Sequence, residues 1–304
     1  MQKNKTREML IKMYLDSLKE DKMPFHKSWN TLENRNGITN KRYRGENSLL
    51  LSLISENEKY SDPRWYTFLQ IKNKGWKLKD AKNKGVPVEF WSCYDKIRKR
   101  KIEYSKYQEI IDEFPERKKD FSIIREVSYV YNAKYIEGLP EFKIDYQDKK
   151  IEIPKYISNI FHNLKISYKE EGNEAYYDVA NDTITLPPST RFEDKYSYYA
   201  TQLHELSHAS GSKNRLNRQI ENKFGTEDYA REELIAEIGS SFLMSKLNIK
   251  VGSKHYNNHK CYIQSWIRIL EDNPNELFKA INEANKVFDY LDKNSVIKIK
   301  DKER

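Results

Sequence analysis

The chain has 304 residues, 38% of them hydrophobic and 33% charged, enough for two ordinary domains with buried cores. No stretch reaches the roughly 18 apolar residues needed to cross a bilayer, and the charged start lacks the apolar run of a secretory signal, so a cytoplasmic protein is expected. The net charge of +9 lies in the first half, where residues 1–145 hold 31 basic and 22 acidic side chains against 24 of each in residues 146–304.

Taken in order, residues 4–20 place Leu10, Ile11, Tyr14, Leu15 and Leu18 at helical spacing, and Pro24 ends the pattern. An Asn-rich loop is expected over 30–40, then a helix over 48–60. The aromatic segments 64–70 and 86–94 read as strand or helix-edge, separated by a Lys/Gly stretch at 72–85. Residues 96–101 and 112–120 read as solvated loop, 121–131 as a strand, and Gly138–Pro140 as a turn before a domain boundary near 145. Beyond it, Asp182–Leu186 is a β-branched strand stopped by Pro187 and Pro188. A helix is expected over 194–210, with Gly211 as its C′ residue. Thr226 caps a helix running through Leu247, and Ser253 opens another over 254–271. Asn273, Pro274 and Glu276 fit N-cap, N1 and N3 of a last helix reaching about Leu291, before a charged tail. Cys93 and Cys261 make neither a disulfide framework nor a thiolate metal site and read as reduced thiols.

His204-Glu205-Leu206-Ser207-His208 is an H-E-x-x-H motif within the 194–210 helix. Histidines four apart lie about 40° from each other around a helix, so both imidazoles reach one cation. Glu205 points beside that cation, where its carboxylate can take a proton from an attacking water and return it to a leaving group. Neutral imidazole with carboxylate suits Zn²⁺. The third ligand is expected from Glu232-Glu233-Leu234-Ile235-Ala236-Glu237: Glu233 on the metal, with Glu237 on the same helix face holding a ligand histidine's tautomer. Glu232, about 100° away, is expected to meet solvent. Asp182–Leu186 is expected as the edge strand along which an extended peptide pairs. Two blander readings stay open, a surface helix with exposed histidines and a metal that only staples the fold. His255 and His259 form a second i,i+4 pair without an acid and read as polar surface or supporting residues. His26 and His162 carry no role. Tyr229 and His259 are candidates for stabilising an oxyanion.

From Lys72 to Lys101 there are eleven Lys/Arg against three acids, interleaved with Trp76, Phe90, Trp91 and Tyr94. Cations meet phosphates and aromatic faces stack on unpaired bases, so this mixture suits single strands better than duplex. The candidate DNA contacts are Lys41, Arg42, Tyr43, Arg44, Arg64, Trp65, Lys74, Trp76, Lys77, Lys79, Trp91, Arg98 and Arg100. In the competing reading the aromatics are core and the lysines a solvated rim.

These residues resemble the ArdC antirestriction family. The N-terminal likeness rests on Asn40 to Asn47 (NKRYRGEN), Arg64 to Gln70, Val88 to Trp91, Tyr131-Asn132-Ala133 and Gly138-Leu139-Pro140. The C-terminal likeness rests on Asp182 to Pro188, His204 to His208, Arg215-Leu216-Asn217-Arg218, Tyr229, Glu232 to Glu237 and Tyr262 to Trp266. Ala209-Ser210-Gly211 stands where the family usually has Trp-Thr-Gly, and Glu46 where an apolar residue is more usual. The resemblance implies an α+β protein of two domains: residues 1–145, an α+β single-stranded-DNA-binding domain, and residues 146–304, a mainly helical zincin-like metallopeptidase domain. It implies an antirestriction role for a mobile element such as a plasmid entering a new host by conjugation, with Zn²⁺ as cofactor and single-stranded DNA as partner. The rivals are a DNA-binding shield whose zinc is structural, a protease clearing DNA-bound proteins, and a peptidase that cleaves a repressor.

Overall fold

The computed structural model describes residues 5–20, 33–142, 151–218, 220, 225–249 and 260–296. Among these, the first half runs α1 (Lys5–Lys19), β1 (Arg35–Asn36), α2 (Gly45–Asn57), β2 (Arg64–Thr67), α3 (Phe68–Asn73), β3 (Lys77–Leu78), β4 (Val86–Asp95), β5 (Arg100–Glu103), α4 (Tyr104–Glu113), β6 (Phe121–Asn132) and β7 (Ile136–Glu137). The second half runs α5 (Ile153–Leu164), β8 (Ser167–Glu170), β9 (Tyr176–Asp178), β10 (Thr183–Leu186), α6 (Lys195–Ala209), α7 (Glu227–Leu247), α8 (Lys260–Asp272) and α9 (Asn275–Lys293).

The chain divides into two compact units that interleave in sequence. The first comprises residues 1–8, 35–41 and 62–141; the second comprises 9–34, 42–61 and 142–304. One cut near residue 145 therefore assigns too much to the first unit, because α2 packs on α9 and belongs with the second. The physical reason is the leucine-rich face of α2: Leu49, Leu50, Leu51 and Leu53 are all buried.

The first unit is built on a five-stranded sheet of order β1-β2-β6-β4-β5. The segment 64–70 splits at Thr67, whose side chain accepts from the Gln70 N–H while Gln70 reaches back, a capping box that starts α3. Residues 96–101, expected as loop, instead turn and enter β5, which pairs antiparallel with β4 from Ser92↔Glu103 to Asp95↔Arg100. The helix α4 that follows had no expectation. It covers one end of the sheet through Tyr107, which packs with buried Cys93 and Phe121.

The second unit packs α5, α6, α7 and α9 around a small sheet of order β8-β10-β9, its core formed by Ile160, Ile184, Leu186, Leu203, Leu243 and Val287, among others. β10 is central, parallel to β8 and antiparallel to β9. The expectation that it forms the edge is wrong. All four of its residues are buried, as a strand enclosed on both faces requires. The edges are β8 and the short β9. Asp194 and Thr226 cap α6 and α7 by accepting from the N–H groups of Ser197 and Tyr229. The cap of α9 is Pro274, one residue later than expected. Residues 254–259 and 297–304, parts of the expected α8 and tail, lie outside the described residues, as do His26, His255 and His259.

Candidate functional site

The H-E-x-x-H motif sits in the buried C-terminal half of α6, facing the first half of α7. The His204 and His208 Nε2 atoms lie 3.1 Å apart. Glu233 reaches toward both, Oε2 at 3.6 Å from His204 Nε2 and Oε1 at 3.6 Å from His208 Nε2. One ligand atom from each residue falls within a 4.8 Å cluster. Two imidazoles and a carboxylate at this spacing fit a divalent cation of the zinc or manganese type.

Each imidazole turns its other nitrogen to an outer carboxylate. His204 Nδ1 faces Glu237 at 3.1 Å and His208 Nδ1 faces Glu232 at 3.2 Å. Glu237 is buried at hydrogen-bond distance from His204. Glu232 does not meet solvent: it is 6% exposed and gripped by Arg218. The error has a physical cause, since α7 is buried around most of its girth and its 100° offset leads to another protein surface. Burial would lower the basicity of both histidines, but Glu233 and Glu237 outweigh it at His204, and Glu233 with Glu232 outweighs it at His208, so both rise. Burial pushes up Glu233 too, yet the two histidines hold it down at about 2. Glu205, which accepts from the Tyr177 N–H of β9, is raised by burial. Tyr229 donates to Glu233, and burial with that neighbouring charge pushes its phenol up to about 12.

His204, Glu205, His208, Tyr229, Glu232 and Glu233 line a cavity of about 910 Å³ that also takes in Tyr176, Tyr177 and Tyr262. The edge strand β9 thus forms one wall. A second network holds that wall. Arg215 donates to Asp182 at 2.6 and 2.8 Å and to the Leu164 and Ala209 carbonyls, while Asp182 also accepts from the Tyr177 hydroxyl at 2.7 Å. Arg218, Glu232 and β9 were missed as site elements. The doubled Glu232-Glu233 was the one sequence signal that could have pointed to a second buried acid.

The candidate DNA residues scatter. Arg42, Tyr43 and Arg44 fall in the second unit, where Arg42 pairs with Glu33, Arg44 pairs with Asp289, and Tyr43 is buried. In the first unit Trp65 is 0% exposed and offers no face to a base, a correction that follows from its place on the enclosed strand β2. Arg64 is tied to Asp62 and the Pro140 carbonyl. Trp76 packs edge-on against Tyr66. Lys41, Lys74, Lys77, Lys79, Arg98 and Arg100 are exposed, and Trp91 is 42% exposed. Lys41, Lys79 and Arg98 pair with Glu103, Glu137 and Asp95. The register sets Trp91 opposite Arg125, with half-exposed Tyr129 further along the same face of β6.

Residues 4–129 match the N-terminal domain of anti-restriction factor ArdC, and residues 155–283 match the zincin-like metallopeptidase family. A DNA primase TraC of Escherichia coli is 33% identical over 299 residues, 93% of this chain but 20% of the primase, so the chain spans about a fifth of that relative's length. The metal-free crystal structure of antirestriction protein ArdC from plasmid R388 superposes with TM-score 0.71 at 25% identity, covering 96% of this chain and 98% of that one. Its Mn(II)-bound form gives 0.70 at 28% identity over 95% and 97%. The chain belongs to the ArdC-like antirestriction family, an ArdC-type N-terminal domain followed by a zincin-like domain.

Proposed function

We propose that the second unit is a metal-dependent peptidase site and that the first binds single-stranded DNA, together serving an antirestriction role. His204, His208 and Glu233 would hold the cation, taken here as Zn²⁺. The observation that carries the reading is the convergence of these three side chains beside a cavity that also holds Glu205. That cavity favours turnover over a purely structural zinc, which needs no open space beside it. When bound, the cation supplies Lewis acidity toward a peptide carbonyl.

The chain's own residues divide the remaining work. Glu205, buried and more basic than an ordinary carboxylate, takes the proton of the attacking water and hands it to the departing amine. Tyr229 stays a phenol at neutral pH and is suited to donate toward the oxygen that becomes charged. The outer edge of β9 offers an extended peptide a main-chain partner. In the first unit, Trp91 and Tyr129 provide stacking faces, with Arg125 paired across from Trp91, and Lys74, Lys77 and Arg100 add cations for phosphates.

Glu205→Gln should keep metal binding and abolish cleavage of a generic protein substrate such as casein. Equal turnover by that variant would remove Glu205 as the base. The same variant in a plasmid-protection assay separates a peptidase from a shield, because a shield protects undiminished.

A further inference from the structure

We propose that Arg218 is a positioning residue of the metal centre, acting through Glu232 on His208; this rests on the metal reading above. Arg218 lies outside the ligand set, fourteen positions before Glu232 and in a turn whose sequence, Arg215-Leu216-Asn217-Arg218, the catalytic scheme leaves unused. Its guanidinium forks onto Glu232, Nε to Oε2 at 3.0 Å and Nη2 to Oε1 at 2.8 Å. The remaining donors reach Ser210 Oγ at 3.0 Å and the Ser207 carbonyl at 2.8 Å, so the group is fastened to the very turn of α6 that carries His208. Its own backbone N–H donates to the Gly211 carbonyl at 2.8 Å.

Gly211 supplies an independent observation. Its backbone is outside the left-handed region, so a C′ conformation does not explain a glycine there. A Cβ at this position would fall 2.8 Å from Arg218 Nη2 and 2.6 Å from Ile220 Cγ2. The missing side chain makes room for the guanidinium. The clamp matters because a buried carboxylate stays ionised and in place only with a partner. Glu232 so held accepts from His208 Nδ1, which fixes the tautomer and aims the Nε2 lone pair toward Glu233. Arg215, three residues earlier, grips Asp182 instead and serves as the control.

The test titrates full-length protein with Co²⁺ against a chelator, reading affinity, the visible absorption bands and the thermal midpoint of the metal-free form. Arg218→Gln and Glu232→Gln should each weaken Co²⁺ binding by about 10–100-fold and alter the bands. The double variant should bind no more weakly than the worse single one, and Arg218→Lys should fall between. Arg215→Gln should lower the midpoint while keeping the affinity. Unchanged affinity in Arg218→Gln, multiplied losses in the double variant, or an equal loss in Arg215→Gln would overturn the assignment. Should Arg218→Gln not fold, Gly211→Ala keeps the arginine but crowds it, and wild-type affinity there overturns the proposal equally. A wild-type protein that binds no Co²⁺ would fell the metal reading itself, and this inference with it.

Discussion

Two residues carry sharp expectations. Tyr229→Phe removes one donor from the cavity wall, and with it the hydrogen bond to Glu233, while leaving His204, His208 and Glu233 in place, so kcat should fall by about 10²-fold with KM little altered, as steady-state kinetics would record. Asp182 concerns stability. Burial works against its charge, but Arg215 and the Tyr177 hydroxyl outweigh it, so its carboxyl lies below the usual carboxylate range. The stabilisation is therefore fully present above the unfolded value of about 3.9 and lost as pH falls through the lower folded one. Urea midpoints of wild type and Asp182→Asn should differ at pH 6 and converge toward pH 3. At this scale the site was largely readable: the H-E-x-x-H spacing and Glu233-x-x-x-Glu237 follow from helical geometry alone. Glu232 and Arg218 were not, because their roles depend on which surfaces enclose α7 and on a turn whose path no periodicity encodes.

Among the elements, α7 is the organiser, carrying Glu232, Glu233 and Glu237 on one side and packing closely on α9 with the other. Gly239 marks that approach. A Cβ there would lie 3.0 Å from Val287 Cγ1 and 3.6 Å from Ser207 Oγ. Gly239→Val should destabilise the protein by about 1–3 kcal/mol in urea unfolding, and Val287→Ala should recover part of the loss, giving a non-additive pair. Long helices, α7 above all, were legible because caps such as Thr226 announce their starts. Short strands were not. β9 has three residues and no apolar alternation, and β10 was expected at the edge as the strand along which an extended peptide pairs, although its unbroken burial makes it central.

For the whole molecule, the proposed division of labour predicts separable losses. Trp91→Ala should weaken binding to a fluorescent oligonucleotide, with affinity falling as salt rises, while cleavage is spared. Trp65→Ala should instead cost about 3–5 kcal/mol of stability, since that ring is fully buried. A Trp91→Ala protein that binds DNA like wild type would leave its β4–β6 face without a partner.

The interleaving of the two units limits how this protein can be cut or transplanted. A fragment beginning at residue 146 would lack α2 and its packing on α9, whereas one ending there would leave α2 without that helix. On the ribosome, α2 emerges long before α9, so its apolar residues stay uncovered on that side until α9 follows, which makes it a natural stretch for a chaperone to hold.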